Sequence, residues 1–300
     1  MGEEQSMKKY LFTIVSVLVI GLMMVSMAVA ETTLERIAKR GEFLVGAREG
    51  SVPFGFYDKD GKWGGFSMDL AQEIHKAVEK KLGKSVKLTF KPVNPKTRIP
   101  LVANRTIDMV CGGSTHTVPR DEVVDFSITV FLTGSQLLVP KGSPIKDFED
   151  LANRRVGAAR GSTNEAAIRG ANADKIISPP ANLMVFDEHT KGFLALQQGK
   201  IDAYCTDGSM LAGMKLKAPD PEKWEVVGRL LTYDPYGFIV PENDSDFRDL
   251  VNFTLIELYN TGKFFEIYDK WMGPKGVVPI PMTNEYKTLL KLQAWPWPRQ

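Results

Sequence analysis

The run Gly112-Gly113-Ser114-Thr115-His116-Thr117-Val118-Pro119-Arg120, followed by Val123-Val124-Asp125-Phe126-Ser127, concentrates groups able to hold a small anion. Paired glycines let a backbone come close to a ligand, and hydroxyls and free amides donate hydrogen bonds. An arginine five residues past Thr115 offers a two-pronged match for a carboxylate. Three further segments have the same character: Arg48-Glu49-Gly50-Ser51, Arg160-Gly161-Ser162-Thr163 and Asp207-Gly208. Asp207 adds a negative charge. Thr163 stands where a helix would start, with backbone amides and a dipole that favour an anion. Taken singly, such residues are usually solvated charges, caps or turn formers, so the question is whether a fold gathers them.

The elements that would gather them alternate strand and helix, the grammar of layered α/β proteins. Glu42 to Ala47 reads as a strand. Phe54 to Tyr57 enters a turn at Asp58-Lys59-Asp60-Gly61, with Trp63 to Phe66 as hairpin partner. Met68 to Leu82 is an amphipathic helix, since Leu70, Ile74, Ala77, Val78 and Leu82 recur at three and four and Gly83 stops it. Val86 to Phe90 is the next strand, Arg98 to Asn104 a short helix, and Ile107 to Cys111 a third strand. The second half then echoes the first. Val45-Gly46-Ala47-Arg48-Glu49-Gly50-Ser51 resembles Val156-Gly157-Ala158-Ala159-Arg160-Gly161-Ser162, and Ile107-Asp108-Met109-Val110-Cys111 resembles Ile201-Asp202-Ala203-Tyr204-Cys205. Val45 and Ile107 stand 62 residues apart in the first half and Val156 and Ile201 stand 45 apart in the second, and a helix-like stretch from Thr190 to Gln198 precedes the last. The economical reading is two α/β lobes of similar construction. Ligands of open parallel sheets sit beyond the carboxyl ends of strands, where all four segments fall, so two lobes would present them to each other as a clamp.

The chain has 38 Lys and Arg against 36 Asp and Glu in 300 residues, a net charge of +2 without runs of like charge. That balance disfavours nucleic acid as a partner. At 43% apolar, 25% charged and 10% aromatic, the composition is that of a globular protein of two-domain length. Residues 1–30 are the exception: Lys8 and Lys9, an apolar run from Leu11 to Met24, and Ala28-Val29-Ala30 form the pattern of a secretory signal peptide. The apolar run is short of the roughly 20 residues of a membrane span. Met7 is an alternative start, and no Cys directly follows the leader. Cys111 and Cys205 sit at the ends of apolar, strand-like stretches and read as buried free thiols. Neither has a second Cys or His at ligand spacing, so no metal and no cofactor is expected.

Here the chain resembles a known family. Thr115-x-Thr117-x-x-Arg120 followed by Asp125-Phe126-Ser127 is similar to the signature of family-3 solute-binding proteins of polar amino-acid ABC transporters. Further stretches resemble its glutamate/aspartate-binding branch: Arg48 to Phe54, Thr97 to Leu101, Ile145 to Phe148, Leu211 to Gly213 and Trp224 to Gly228. The resemblance implies an α/β, two-lobed periplasmic binding protein of type II, a Venus-flytrap in which each lobe is a mixed sheet flanked by helices. Two hinge segments, near Thr133 to Ser135 and Pro235 to Gly237, would join lobe one (residues 31–134 and 236–300) to lobe two (residues 135–235). It implies that Arg120 grips the ligand α-carboxylate with Thr115 and Thr163, that Asp207 pairs with the α-ammonium, and that Arg48, Arg98 and His189 face a side-chain carboxylate. The implied partners are an acidic amino acid, a membrane ABC permease and its ATPase, and the protein would act as a monomer in the periplasm.

These roles make physical sense together. A zwitterion needs one anion-binding and one cation-binding element. Two unit charges about 4 Å apart interact by about 4 kcal/mol at an effective dielectric near 20, so Arg48 beside Arg98 would repel until a carboxylate arrives. A site with such groups can reject an analogue lacking the matching charge by roughly 10⁴. Two positions depart from the branch, which usually has serines where this chain has Pro95 and Gly113. Rival readings are a dehydratase or lyase on the same scaffold, with His189 or an acidic residue as general acid, a binder of another polar amino acid or a dicarboxylate, and a sensory module. The sequence has no G-x-S-x-G elbow.

Overall fold

The structure, a computed structural model, describes residues 31–296, and the expected leader lies outside them. Two five-stranded sheets organise the chain. The first runs, edge to edge, Lys87–Pro92, Glu42–Ala47, Met109–Val110, Ile239–Val240 and Asp125–Phe126. The second runs Asn182–Phe186, Arg155–Ala159, Ala203–Asp207, Ser135–Pro140 and Trp224–Val227. In both, three parallel strands are followed by a fourth that is antiparallel to the third.

The sequence echoes are one joint built twice. Val45 pairs with Met109 and Gly46 with Val110, as Val156 pairs with Ala203 and Gly157 with Tyr204. Glycine at the centre has a steric cause: a Cβ on Gly46 would stand 2.8 Å from Ile107 Cδ1, and one on Gly157 2.6 Å from Ile201 Cδ1. The aspartates repeat as well. Asp108 accepts the Leu44 N–H and Asp202 the Arg155 N–H, both at 2.8 Å.

Strand alternation divides side chains between the two faces of each sheet. Phe43 and Val45 pack with Ile74, Val78, Phe247 and Leu255, whereas Val110 and Ile239 pack with Val102 and Ile107 on the opposite face. In the second sheet Leu137, Val139 and Cys205 join Ile168, while Leu138 and Tyr204 join Leu196 and Leu211. Each such apolar side chain contributes about 1.5–3 kcal/mol by leaving water. Cys111 and Cys205 are free and buried. Among the described residues no helix is long and apolar enough to cross a membrane.

Strands Phe131–Thr133 and Asp234–Tyr236 form an antiparallel ribbon, with Thr133 opposite Asp234 and Phe131 opposite Tyr236. The chain enters the second sheet through Gly134, where a Cβ would lie 1.9 Å from the Thr232 carbonyl oxygen. Helices Ser245–Thr261 and Lys263–Met272 return to the first sheet's core, and Trp271 Nε1 donates to Asp69 at 2.7 Å.

Element ends shift by one or two residues from the sequence expectation, as in Lys87–Pro92, Arg98–Ala103 and His189–Gln197, and two further shifts have a local physical cause. The helix predicted from Met68 begins at Phe66, so Phe66 is not in the hairpin strand Trp63–Gly64. Gly65 ends that strand with φ 134°, and a Cβ there would stand 2.2 Å from the Phe54 carbonyl oxygen. Of the stretch Ile107 to Cys111, only Met109–Val110 is strand: on its N-terminal side the Asp108 carboxylate occupies the Leu44 N–H, and beyond it Cys111 still donates its N–H to the Gly46 carbonyl.

Candidate functional site

Strand ends and helix starts from both sheets line one cavity. Arg48, Pro95, Arg98, Gly113 and Thr115 come from segments around the first sheet. Ser162, Thr163, Asn164, His189, Asp207 and Met210 come from segments around the second. Its volume is about 10 Å³, roughly the space of one water, so a shift of any wall side chain changes its size. A roomier surface groove of about 600 Å³ lies between helices Phe66–Leu82 and Ser245–Thr261. There Lys80, Lys81, Asp246 and Glu257 are exposed, so its charges are screened by solvent.

Six of the seven residues singled out from the sequence line the cavity: Arg48, Arg98, Thr115, Thr163, His189 and Asp207. Arg120 stands behind them. Its Nη1 donates to the Thr115 carbonyl at 2.7 Å and its Nη2 to the Gly161 carbonyl at 3.2 Å, which ties the Thr115 loop to the loop before helix Thr163–Ala173. The Thr115 and Thr163 hydroxyls meet across the same gap at 3.3 Å. Ser162, not Thr163, caps that helix by accepting the Glu165 N–H, so the Thr163 hydroxyl is left for the cavity.

Arg48 and Arg98 are 2% and 3% exposed. Arg98 Nη1 donates to the Gly113 carbonyl at 2.7 Å and the Ser114 hydroxyl at 2.8 Å. The Nε of each arginine is buried without a hydrogen-bond partner, a costly arrangement that an anion would relieve. Burial pushes the Arg98 pKa well down, and the neighbouring Arg120 and Arg48 push it further. Burial also lowers Arg48, against which the Glu188 carboxylate acts in the opposite direction from 3.9 Å. Guanidinium groups remain charged despite such shifts.

His189 opens helix His189–Gln197 and is only 4% exposed, so it is a buried group rather than a solvated helix end. Its Nδ1 lies 2.9 Å from the Tyr204 hydroxyl. Burial, then Arg48 and Arg98, holds its pKa well below the usual imidazole range, so the ring is neutral at pH 7. Asp207 ends its strand and accepts hydrogen bonds from Asn164 Nδ2 at 2.8 Å and from the Tyr236 hydroxyl. Burial and then Asp234 raise its pKa, a carboxylate that a nearby cation would stabilise. Both substituted positions, Pro95 and Gly113, lie on the cavity wall.

Sequence reasoning missed Asn164, Met210 and Glu188. Asn164 follows Thr163, and Met210 sits one helical turn past Asp207 in helix Gly208–Lys217, so proximity to flagged residues was the available signal. Glu188 carried none beyond its place before His189. Among the described residues no group of three His, Cys, Asp or Glu side chains is placed to hold a metal.

Residues 43–274 match the profile of the bacterial extracellular solute-binding proteins, family 3. The chain is 35% identical over 268 residues to the glutamate/aspartate import solute-binding protein of Salmonella typhimurium strain LT2, covering 87% of this chain and 88% of the relative. An ancestral arginine-binding protein bound to arginine superposes with a TM-score of 0.70 and 35% identity, over 78% of this chain and 99% of the other. An ancestral amino acid-binding protein, a precursor of cyclohexadienyl dehydratase, superposes with a TM-score of 0.67 and 31% identity, over 80% and 99% of the two chains.

Proposed function

Because this chain belongs to the bacterial extracellular solute-binding proteins of family 3, we propose that it captures an acidic L-amino acid, glutamate or aspartate, and delivers it to an ABC permease. The observation that carries the acidic specificity is the pair of buried arginines, Arg48 and Arg98, whose Nε donors lack partners beside a neutral His189. Asp207 takes the α-ammonium and Thr115 and Thr163 the α-carboxylate, joined by Arg120, whose Nη2 leaves the Gly161 carbonyl for the ligand when the lobes part. We assign residues 31–134 and 236–300 to one lobe and 135–235 to the other, hinged at the ribbon Phe131–Thr133 and Asp234–Tyr236. With walls this close, the lobes must part to admit a ligand, and contacts from both would favour closure.

The protein acts as a binder without turnover, exported by its leader to the periplasm, where it meets the permease and its ATPase as a monomer. A second reading, a neutral polar amino acid as ligand, is favoured by the Glu188 carboxylate facing Arg48 and by the loss of two hydroxyls at Pro95 and Gly113.

Calorimetry on refolded, ligand-stripped protein with glutamate, aspartate, glutamine, succinate and arginine tests the proposal. Tight binding of glutamine or arginine and of none of the acids overturns the acidic reading. Arg98→Ala should erode the preference for acids by at least tenfold, and unchanged glutamate affinity would withdraw its assignment. Mass spectrometry of incubated amino acids checks for turnover.

A further inference from the structure

Met210 belongs to helix Gly208–Lys217 behind the second sheet, yet its side chain packs in the core cluster of the first. It is 2% exposed, and its Sδ lies 3.9 Å from the Thr206 hydroxyl. Its terminal methyl seats against Gly113: a Cβ at that glycine would stand 2.1 Å from Met210 Cε, and 3.0 Å from the Tyr236 ring. A side chain at 113 and this methionine conformer therefore exclude one another. The contact lies beside the arginines, since Arg98 donates to the Gly113 carbonyl and a Cβ on neighbouring Gly112 would be 3.2 Å from Arg48 Cγ.

We infer that Gly113 and Met210 form a specificity-determining pair that sets the depth of the compartment for the ligand side chain, an inference that rests on the amino-acid-binding role proposed above. The thioether donates no hydrogen bond, so it acts by volume alone and leaves charge recognition to the arginines. Its flexible chain lets the gauge yield when the lobes part and return when they close. In a cavity this small, the last two heavy atoms of Met210 occupy the space that one more ligand methylene would need, and one methylene commonly changes selection by about 10–200-fold.

The test is calorimetry on four proteins, wild type, Met210→Ala, Gly113→Ala and the double variant, with aspartate, glutamate, 2-aminoadipate, glutamine and arginine. Met210→Ala should raise the affinity for 2-aminoadipate relative to aspartate at least tenfold. Gly113→Ala should weaken glutamate at least tenfold in the wild-type background and less than threefold in the Met210→Ala background. Met210→Val, which drops Sδ and Cε but keeps more apolar volume near the backbone than alanine, should move the length preference the same way by a smaller factor, and serves if the alanine variant does not fold. Additive effects of the two substitutions, or an equal loss for every ligand, would overturn the pair. If the wild type binds only glutamine or arginine, the acidic reading fails alone, and arginine against glutamine then reads the gauge. A wild type that binds no member of the panel overturns both.

Discussion

The sheet around Glu42–Ala47 and the sheet around Arg155–Ala159 repeat one another in strand order, register and central joint, yet their facing edges carry opposite chemistry. The first brings Arg48, Arg98 and Arg120; the second brings Asp207, Glu188, the neutral His189 and a helix start at Thr163. Gly46 and Gly157 match because each must fit the isoleucine that leads into the neighbouring strand, Ile107 or Ile201. The edge residues differ because each answers something across the gap. Repetition thus marks what holds a lobe together, and asymmetry marks what the lobes do together.

The largest expected effect lies at the asymmetric edge. Arg120→Ala and Asp207→Asn should each weaken amino-acid binding at least 100-fold in calorimetry. Asp207→Asn should do so without lowering the thermal midpoint. Its carboxyl pKa is raised in the fold, so the folded state binds the extra proton, and ionisation costs stability as pH rises above the unfolded value near 3.9. Asparagine removes that cost at pH 7. A midpoint several degrees lower would make Asp207 a structural residue instead.

The symmetric part is tested by Gly46→Ala and Gly157→Ala. Both added methyls meet side chains within 3 Å, so each should cost about 1–3 kcal/mol in denaturant unfolding, with similar values in the two lobes. A large cost at one and none at the other would confine the repeat to the letters of the sequence.

Smaller still is the pH response of His189. Its pKa is depressed in the fold, so below the unfolded value of about 6.5 the unfolded chain binds the extra proton and stability falls as pH drops. The limiting slope is about 1.4 kcal/mol per pH unit, and His189→Gln should flatten the profile between pH 6.5 and 5 in unfolding curves. Glu188→Gln is the mildest change. Removing a partly exposed carboxylate from beside Arg48 should tighten glutamate a few-fold, and weaker binding would make Glu188 a ligand contact.

Thr115, Thr163 and Asp207 were legible as cavity residues in the sequence because loops that follow strands carry recognisable donors and charges, whereas Arg120 was read there as a ligand contact and lies outside the cavity lining. Arg48 stood in such a segment too, whereas Arg98 and His189 were legible only through the family likeness, since a side chain's burial does not show in its neighbours along the chain. Gly113 was noted as a lost hydroxyl, whereas what fills its place, the Met210 methyl, comes from the other sheet's helix. Glu188 escaped notice for the same reason: its partner is 140 residues away in the chain.

By itself the sequence determined the alternating elements, the two echoed halves, the near-neutral charge and the polar strand ends, because period, turn chemistry and composition act over a few residues. Only the tertiary structure decided that two arginines stay buried, that His189 is neutral, that Arg120 stands behind Thr115 and that Met210 meets Gly113. Those outcomes depend on distances between groups far apart in the chain and on the water excluded between them, and no local pattern encodes either.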